Sequence, residues 1–254
     1  MPDISVNAVI LLASCEAYRT NGFNDAARRT WIAQWGHLID YRFVLGRGCK
    51  DPLPDEIVLD VEDSYAGLTK KVQAARKWAT DNEFEHTLHA GADTYIVVPR
   101  FLKSEYEQRD YVGFLIHDEH RLVADRNIQF AQGGAGYCLS RRAGDIVTAA
   151  TIEHDWQNKA EDVFVGDELF KAGIPFTHET GYWSWGYRAA NDPSTLEGGP
   201  FIGMQSAVTI HLSRWWGAIK YTPAWMYDTH ARVMQADPEK WLRVNNPAPP
   251  PDVL

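Results

Sequence analysis

Only a few residues of this 254-residue chain have the type and setting to do chemistry, and the first of them is a carboxylate. Asp93 stands in the segment His-Ala-Gly-Ala-Asp-Thr-Tyr, directly after a run that we predict to be a buried strand, Glu83–Ala90. A carboxylate at such a strand end can bind a hard cation such as Mg²⁺ or Mn²⁺, because these ions prefer oxygen ligands. The alternative is that Asp93 only caps a helix or stabilises a solvated turn.

Two further acids, Glu161 and Asp162, open a predicted helix that runs from Ala160 to Ala172 and is closed by Gly173. A carboxylate held at this position could act as a general base. Acidic residues in a first turn also stabilise a helix by complementing its dipole. The local sequence therefore leaves both interpretations of these two acids open.

Histidine and glycine residues provide two weaker signals. His211 lies in the apolar run Val-Thr-Ile-His-Leu, where it is either a core histidine or a metal ligand supplied late in the chain. The glycine-rich run 133–136 either lets the backbone approach a ligand closely or forms an ordinary turn between strands. His86 and His89 are three residues apart on a predicted strand and would point to opposite faces, which disfavours a two-histidine metal site.

The pattern of the first hundred residues predicts an α/β fold that would position these side chains. Strands are expected at 6–14, 41–45, 57–60 and 83–90, with helices at 24–35 and from residue 63 or 64 to about residue 80. Such alternation implies a mostly parallel sheet with helices on both faces, in which ligands bind beyond the carboxyl ends of the strands. Cys15, Gly46, Asp60 and Asp93 are expected to meet at that edge.

The second half of the chain predicts less regular structure. Strands are expected at Tyr111–Ile116 and Tyr137–Leu139, around the glycine-rich run. The segment Phe176–Trp216 is rich in aromatic residues, Gly and Pro, and we expect loops folded over the site. Within it, Tyr182–Trp185 either stacks on a flat substrate group or fills the core. We assign residues 1–243 to a single domain and 244–254 to a Pro-rich tail.

Composition narrows the classes of function. The formal net charge of -9 argues against nonspecific nucleic-acid binding through a generally basic surface, although it leaves a local basic groove possible. Cys15 and Cys138 lie in apolar runs and are interpreted as small buried residues, which suits a reducing compartment. The first apolar run is short and lacks a basic flank, and no segment is long enough to span a bilayer. We therefore expect a cytoplasmic protein without a membrane partner.

Six blocks of sequence together resemble a known family. They are Ala27–Trp31 (Ala-Arg-Arg-Thr-Trp), Phe43–Gly46 (Phe-Val-Leu-Gly), Asp60–Lys71, Gly91–Asp93, Gly134–Ser140 (Gly-Ala-Gly-Tyr-Cys-Leu-Ser) and Glu161–Gly166 (Glu-Asp-Val-Phe-Val-Gly). In this order they resemble the motifs of glycosyltransferase family 31, the β-1,3-galactosyl- and β-1,3-N-acetylglucosaminyltransferases and Fringe. The third and the last block are the most specific. The resemblance implies a GT-A fold for most of the chain.

One block departs from the family pattern. The family carries an Asp-Asp-Asp run at the end of the central strand, and here this run aligns with Gly91-Ala92-Asp93, so that only the last carboxylate is kept. In the family the last aspartate contacts the metal, which implies that Asp93 is a metal ligand. The family also supplies a late histidine to the metal, and His211 is the best match.

The resemblance further implies an inverting, metal-dependent transfer of a sugar from a UDP-sugar to an acceptor hydroxyl. Asp162 is the implied base, Mn²⁺ or Mg²⁺ the implied cofactor, and a glycan or another hydroxyl-bearing molecule the implied acceptor. Donor binding is expected of residues in the matched blocks, namely Arg28, Asp60, Lys71, Gly91, Ala92, Gly134, Gly136 and Glu161. For Arg28 and Lys71 the alternative is a structural salt bridge.

Two other functions stay open at this point. The loss of two carboxylates is compatible with a catalytically inactive protein that binds nucleotide sugars, although Glu161 and Asp162 are both kept. The lack of a recognisable secretory signal is compatible with an enzyme that glycosylates hydroxymethylpyrimidines in DNA, although the acidic net charge speaks against it.

Overall fold

The central strand of the fold is the apolar run Ala8–Ala13, which is buried because both of its faces are covered. In the computed structural model, which describes residues 7–117, 128–152, 160–183, 207–212 and 222–236, this run lies in a seven-stranded sheet. The strands of that sheet, numbered in chain order, are β1 (Ala8–Ala13), β2 (Asp40–Leu45), β3 (Glu56–Val58), β4 (His86–Gly91), β6 (Tyr111–Gly113), β9 (Tyr137–Ser140) and β10 (Thr177–His178). Their order is β10-β6-β9-β4-β1-β2-β3, and β9 alone runs antiparallel to its neighbours.

Two smaller sheets contain the other described strands. One has the order β11-β12-β5, and the other pairs β7 with β8. These strands are β5 (Thr94–Ile96), β7 (Leu115–His117), β8 (Gln129–Ala131), β11 (Tyr182–Trp183) and β12 (Thr209–His211). β12 is antiparallel to β5, and its register pairs His211 with Thr94. This pairing brings a late part of the chain to the end of β4, where Asp93 immediately precedes β5.

Helices pack on both faces of the main sheet. The described α-helices, some of which pack on other helices or on the small sheets, are α1 (Glu16–Thr20), α2 (Phe23–Ala27), α3 (Ala33–Trp35), α4 (Leu68–Asp81), α5 (Val98–Phe101), α6 (Arg141–Ala149), α7 (Glu161–Lys171) and α8 (Ala224–Ala236). Along β1, Ile10 belongs to the same buried cluster as Trp31, whereas Leu11 belongs to a second cluster with Ala75 of α4. Because successive strand residues point to opposite faces, this alternation confirms the predicted α/β layers around a mostly parallel sheet.

The predicted helix 24–35 is present but irregular. It consists of α2, a π-type turn at Arg28–Ile32, and α3. Within the turn Thr30 departs from helical geometry, with φ -116° and ψ -106°, and its hydroxyl donates to Ala26 O at 2.7 Å. Such a bond to a carbonyl of the preceding turn is known to bend helices. The kink still leaves Trp31 and Trp35 buried.

The start of α4 differs from the prediction. The sequence suggests a cap at Asp63 or Ser64, whereas the helix begins at Leu68 with Gly67 at the N-cap and no side-chain capping bond. Ser64 Oγ accepts the N–H of Gly67 at 3.2 Å within the turn that precedes the helix. Asp63 takes no part in capping, because its carboxylate binds groups from other parts of the chain.

The second half of the fold needs several corrections. The single strand predicted at Tyr111–Ile116 is two strands, β6 and β7, which belong to different sheets. The segment Phe176–Trp216 is not made of loops alone, since its described part contains β10, β11 and β12. The pattern also fails to predict α6 and α8. Residues 184–206, 213–221 and 237–254, which include the predicted Pro-rich tail, lie outside the described residues.

The cysteines agree in part with the sequence prediction. Cys138 is buried in β9, as expected, whereas Cys15 is half-buried at the N-cap of α1, and both are free thiols. Among the helices that the structure describes, none has the length and apolar character to cross a membrane.

Candidate active site

The site is built around the glycine-rich turn, residues 133–136, which joins β8 to β9. The N–H of Gly136 donates to Gly133 O at 3.0 Å, and Gly136 has a φ of +89°, in the left-handed region that favours glycine. A Cβ at residue 136 would lie 2.8 Å from His89 O, so the turn also packs too closely on β4 to admit a side chain there. Glycine at residue 136 is therefore a requirement of this tight turn.

The start of α7 is tied to this turn. Asp162 Oδ2 accepts the N–H of Gly133 at 2.9 Å, and Asp162 Oδ1 accepts the N–H of Val163 at 2.9 Å. Glu161 Oε2 accepts the N–H of Asp162 at 2.6 Å. The Glu161 carboxyl group is so close to Gly133 that a Cβ at residue 133 would overlap it. Both acids thus contact the glycine-rich turn in addition to lying at the positive end of the helix dipole.

Burial changes the proton affinity of both acids. Glu161 is 6% exposed and Asp162 is half-buried. Burial raises the pKa of Asp162 above its ordinary value, although the hydrogen bonds from Gly133 and Val163 oppose this shift. Burial and the negative charge of Asp162 raise the pKa of Glu161 well above its ordinary value. Because the two adjacent carboxyl groups share one desolvated site, the ionisation of both at the same time is unfavourable.

The next residue of the turn contacts a second pair of side chains. A Cβ at Gly134 would overlap the ring of His211, and Thr94 Oγ1 donates to Gly134 O at 2.6 Å. His211 Nε2 lies 3.5 Å from Asp93 Oδ2, and the hydroxyl of Tyr18 donates to the same oxygen at 3.3 Å. Gly133 thus contacts the two acids that open α7, and the adjacent Gly134 contacts the histidine beside Asp93.

The Asp93 carboxylate is stabilised in its charged form. Burial alone would raise the pKa of Asp93, but the neighbouring His211 ring and the hydrogen bond from Tyr18 lower it below its ordinary value. The negative charge of Asp93, together with burial, raises the pKa of Tyr18, so that its phenol stays protonated. Asp93 is therefore available as an anionic ligand at neutral pH.

Asp93 and His211 have a donor set that suits a divalent cation, one carboxylate oxygen and one imidazole nitrogen. Two ligands at about 2.1 Å from an octahedral cation lie about 3 Å apart when they occupy adjacent positions. The observed separation of 3.5 Å is close to that value. Among the described residues no group of three or more His, Cys, Asp or Glu side chains could hold a metal. Within the described residues the pair would therefore supply two protein ligands to such a cation.

The structure explains why residues 91 and 92 are small. Ala92 is fully buried in the core, and its N–H donates to Ala13 O at 2.9 Å, so its side chain does not face a ligand. Gly91 ends β4, and a Cβ there would overlap the carboxylate of Asp93. A carboxylate at residue 91 or 92 would therefore require a different arrangement of Asp93 or of the core. Donor contacts by Gly91 and Ala92 stay predictions.

Lys71 is buried and already paired. Its ammonium group binds Asp63 Oδ1 at 2.6 Å and Ser14 O at 2.7 Å, and the same carboxylate accepts the N–H groups of Glu16 and Gly46, each at 2.7 Å. Burial alone would raise the pKa of Asp63, but these bonds lower it below its ordinary value. The arrangement ties α4 to the loops that follow β1 and β2, which matches the salt-bridge alternative for Lys71.

Arg28 and Asp60 also form ion pairs. The Arg28 guanidinium binds both Asp55 oxygens, at 2.8 and 2.9 Å, and Glu56 Oε1 at 2.7 Å. Asp60 follows β3 on the surface, where it pairs with Arg47 at 2.5 Å. Within the described part of the chain, neither Arg28 nor Asp60 forms a hydrogen bond or an ion pair with the glycine-rich turn. Donor binding by these two residues stays a prediction.

Tyr65 is a residue of the site that the sequence reasoning did not single out. Its side chain is 58% exposed. Burial and the negative charges of Glu161 and Asp162 raise the pKa of its phenol to about 12. Tyr65 belongs to the matched block Asp60–Lys71, and that membership is the signal that could have identified it.

Tyr18 was also missed, and His89 was considered only as part of a two-histidine metal site. Tyr18 donates its hydroxyl to Asp93, and His89 Nε2 lies 3.7 Å from Glu161 Oε1. Neither residue stands in a motif of recognisable chemistry, and each reaches its partner only through the packing of separate elements. The local sequence therefore carries no signal for either residue.

Comparison with known proteins bears on the fold. No protein-family model and no curated protein matches the chain. Among solved structures, the WbbM bifunctional glycosyltransferase is 8% identical with a TM-score of 0.50, over 92% of this chain and 50% of that one. A glycosyltransferase involved in the glycosylation of the major capsid of PBCV-1 is 11% identical with a TM-score of 0.49, over 90% and 99% of the two chains. The galactosyltransferase LgtC, in complex with donor and acceptor sugar analogues, is 10% identical with a TM-score of 0.49, over 92% and 99%.

At these identities the likeness concerns the fold and leaves the activity open. The chain spans half the length of the WbbM enzyme. Taken with the order and direction of the strands, the likeness to that enzyme gives the chain a mixed α/β fold of the GT-A type.

Proposed function

We propose that the chain is an inverting glycosyltransferase that moves a sugar from a UDP-sugar to an acceptor hydroxyl with the help of a divalent cation. The observation that carries this proposal is that the glycine-rich turn contacts two groups of candidate catalytic residues. Gly133 binds the carboxylate of Asp162, and Gly134 packs against His211 beside Asp93. The candidate base and the candidate cation-binding pair therefore contact adjacent residues of the turn. Metal-assisted inverting transfer needs both a base and a cation. The GT-A-type fold supports the same class of reaction.

Asp162 is the proposed base. Two backbone N–H groups, from Gly133 and Val163, fix its oxygens and leave each oxygen a further lone pair. As the acceptor oxygen attacks the anomeric carbon from the face opposite the diphosphate, Asp162 takes the hydroxyl proton. The new glycosidic bond forms while the bond from the anomeric carbon to the UDP oxygen breaks, and the configuration inverts. A pKa raised by burial makes Asp162 a better proton acceptor than an exposed aspartate.

Asp93 and His211 are the proposed ligands for Mn²⁺ or Mg²⁺. When bound, such a cation would stabilise the negative charge that develops on the departing diphosphate. Tyr18 fixes Asp93 by a hydrogen bond, and Gly134 leaves room for the His211 ring. Because Asp93 is the single acid kept in its motif, we expect the cation to bind more tightly together with the nucleotide than alone.

The acceptor is proposed as a hydroxyl-bearing molecule, either a glycan or a hydroxymethylated base in DNA. We propose Tyr65 as a contact for it, since this side chain is exposed and the charges of Glu161 and Asp162 act on its phenol. A tyrosine offers an apolar ring and a hydroxyl that can hydrogen-bond, and both suit a sugar or a base.

A panel of UDP-sugars tests the proposal. The purified protein is incubated with each donor, with and without Mn²⁺, and with hydroxyl-bearing acceptors that include hydroxymethylated DNA. We expect UDP release that depends on Mn²⁺ for at least one donor, and an inverted anomeric configuration in the product. Binding of UDP-sugars without release in every combination would instead indicate a binding protein that has lost turnover.

A further inference from the structure

Glu161 is an acid to which the proposed chemistry gives no task. It is 6% exposed, and its Oε2 accepts the N–H of Asp162 at 2.6 Å. Its carboxyl group packs against Gly133 without room for a Cβ there. Its other oxygen, Oε1, faces Nε2 of His89 at 3.7 Å. Glu161 therefore contacts both the backbone of the proposed base and the glycine-rich turn that binds it.

No cation neutralises this carboxyl group within the part of the chain that the structure describes. The described basic side chain that lies within 4 Å of it is His89, and burial together with the Arg76 guanidinium lowers the pKa of His89 to about 3. The other titratable groups that interact electrostatically with Glu161 come from α7, β9, β6 and the turn before α4, and they are Asp162, Tyr137, Tyr111 and Tyr65. A charged Glu161 would thus lie beside a second carboxylate, and none of these described groups would compensate its charge.

The two acids differ in how well their surroundings stabilise a negative charge. The Asp162 carboxylate accepts N–H groups from two other residues, Gly133 and Val163, and is half-buried. Among the described residues, the Glu161 carboxyl group accepts an N–H from one other residue, Asp162, and it is almost fully buried. Hydrogen bonds and access to water both favour the charged form of a carboxyl group. The charge of the pair is therefore expected on Asp162 and the proton on Glu161.

We propose that Glu161 serves the transfer reaction as a neutral carboxylic acid, a positioning residue that fixes Asp162 and Gly133 and touches neither the cation nor the donor. The inference rests on the proposed function, since it takes Asp162 as the base. The carbonyl oxygen of Glu161 accepts the N–H of Asp162, and the protonated oxygen is the one that faces His89. Asp162 then carries the single negative charge of the pair and is ready to accept a proton. This role differs from the donor contact that the family resemblance implies for Glu161.

Substitutions separate the two roles. Glu161→Gln keeps the shape of the side chain, its neutral state and the carbonyl oxygen for the N–H of Asp162. Glu161→Ala removes that acceptor and leaves a space against Gly133, so that Asp162 loses its support. An ionised Glu161 that bound the donor or the cation would lose its function in both variants alike.

The kinetic test compares E161Q, E161A and D162N with E168Q, a control on the same helix. We expect E161Q to keep kcat within about threefold and to keep the acid limb of the pH profile, because a neutral acid and an amide fix Asp162 in the same way. E161A should lose roughly tenfold or more in kcat with little change in the donor KM, and D162N should lose transfer. A kcat in E161Q as low as in E161A, or a raised donor KM in E161Q, would overturn the inference.

A spectroscopic test needs no activity. Infrared spectra at neutral pH should contain the C=O stretching band of a protonated carboxyl group in the parent protein and in E168Q, and E161Q should lack it. Absence of this band from the parent protein also overturns the inference, and it decides the question even when E161A fails to fold. If D162N transfers sugar as well as the parent protein does, the proposed function fails instead, and the infrared band still reports the protonation of Glu161.

Discussion

Gly134 and His211 are packed so closely that only glycine fits at residue 134, since a Cβ there would overlap the imidazole ring. The ring is 8% exposed and lies 3.5 Å from the carboxylate of Asp93. The glycine therefore lets the histidine occupy its position beside Asp93. In the proposed site this makes the turn a part of the cation-binding arrangement as well as a connection between β8 and β9.

Gly134→Ala tests this relationship. The added methyl group must displace the His211 ring, so we expect the free energy of unfolding to fall by about 1–3 kcal/mol. UDP binding should also respond less to Mn²⁺. Chemical denaturation measures the first effect and calorimetry the second. Introduced into an H211A background, G134A should cost much less stability, because the overlap is gone. An equal loss in both backgrounds would mean that the ring is not the cause.

Asp93→Ala and His211→Ala test the proposed cation ligands. Each variant should weaken UDP binding in the presence of Mn²⁺ by roughly tenfold or more, because a ligand to the cation is lost. Binding without Mn²⁺ should change little. Asp81→Ala, at the exposed end of α4, serves as the matched control and should bind UDP like the parent protein. If the parent protein binds UDP equally well with Mn²⁺ and with a chelator, the cation assignment is wrong.

The rate of transfer should decline in acid at a pH above the ordinary pKa of aspartate, which is about 4. The proposed base must be deprotonated, and burial raises the pKa of Asp162 despite the hydrogen bonds that oppose the shift. The kcat is therefore expected to be constant at higher pH and to fall as the pH falls through this raised pKa. Rates at saturating donor and acceptor measure it, with circular dichroism as a check on folding. An acid limb at or below the ordinary value would contradict the assignment.

The buried pair of Lys71 and Asp63 should contribute to stability. Lys71→Met leaves Asp63 without its cation, and we expect a loss of about 3 kcal/mol in the free energy of unfolding. Lys77→Met on the same helix removes an exposed pair with Asp81 and should cost less than about 1 kcal/mol. Urea denaturation at neutral pH compares the two variants. A similar loss in both would show that burial of the first pair does not matter.

The pair of Lys71 and Asp63 also predicts the direction in which stability changes with pH. The pKa of Asp63 is lowered in the folded protein, so its contribution is fully present above the unfolded value of about 3.9. That contribution is lost as the pH falls through the lower folded pKa. The stabilities of the parent protein and Lys71→Met should therefore converge in strong acid. A gap between them that stays constant in acid would contradict this.

Local pattern is enough to predict the core of this fold. The apolar run that forms β1 has Val9 and Leu11 on one face and Ile10 on the other, and such a run has to be covered on both sides. The helix α7 is bounded by an acidic first turn and by Gly173, whose φ is +69°. These signals act between neighbours in sequence, which is why the predicted bounds lie close to the observed ones.

The remaining parts of the fold depend on distant contacts. β12 is a three-residue strand, and it is fixed by pairing with β5 from the first half of the chain. The helix α8 is held in part by a 2.8 Å hydrogen bond between His230 and Tyr95. Neither partner could be inferred from the residues next to it, because the contacts exist only after the chain has folded.

In the candidate site too, some features follow from the local sequence and others depend on distant contacts. Asp93 and Asp162 can be found from their positions after a strand and at a helix start, but the turn that connects them through Gly133 and Gly134 is visible only in three dimensions. The sequence also does not reveal that the side chain of Ala92 lies in the core, and a donor contact by this residue stays a prediction.

The most direct measurement is the single-turnover rate of sugar transfer by Asp162→Asn, taken together with calorimetric binding of the donor. The amide cannot accept the hydroxyl proton, so transfer should fall by roughly 10²–10⁴-fold. Because binding of the donor does not involve this proton transfer, the dissociation constant of the donor should stay within about threefold of the parent value. Transfer at the parent rate with unchanged donor binding would contradict the role of Asp162 as the base.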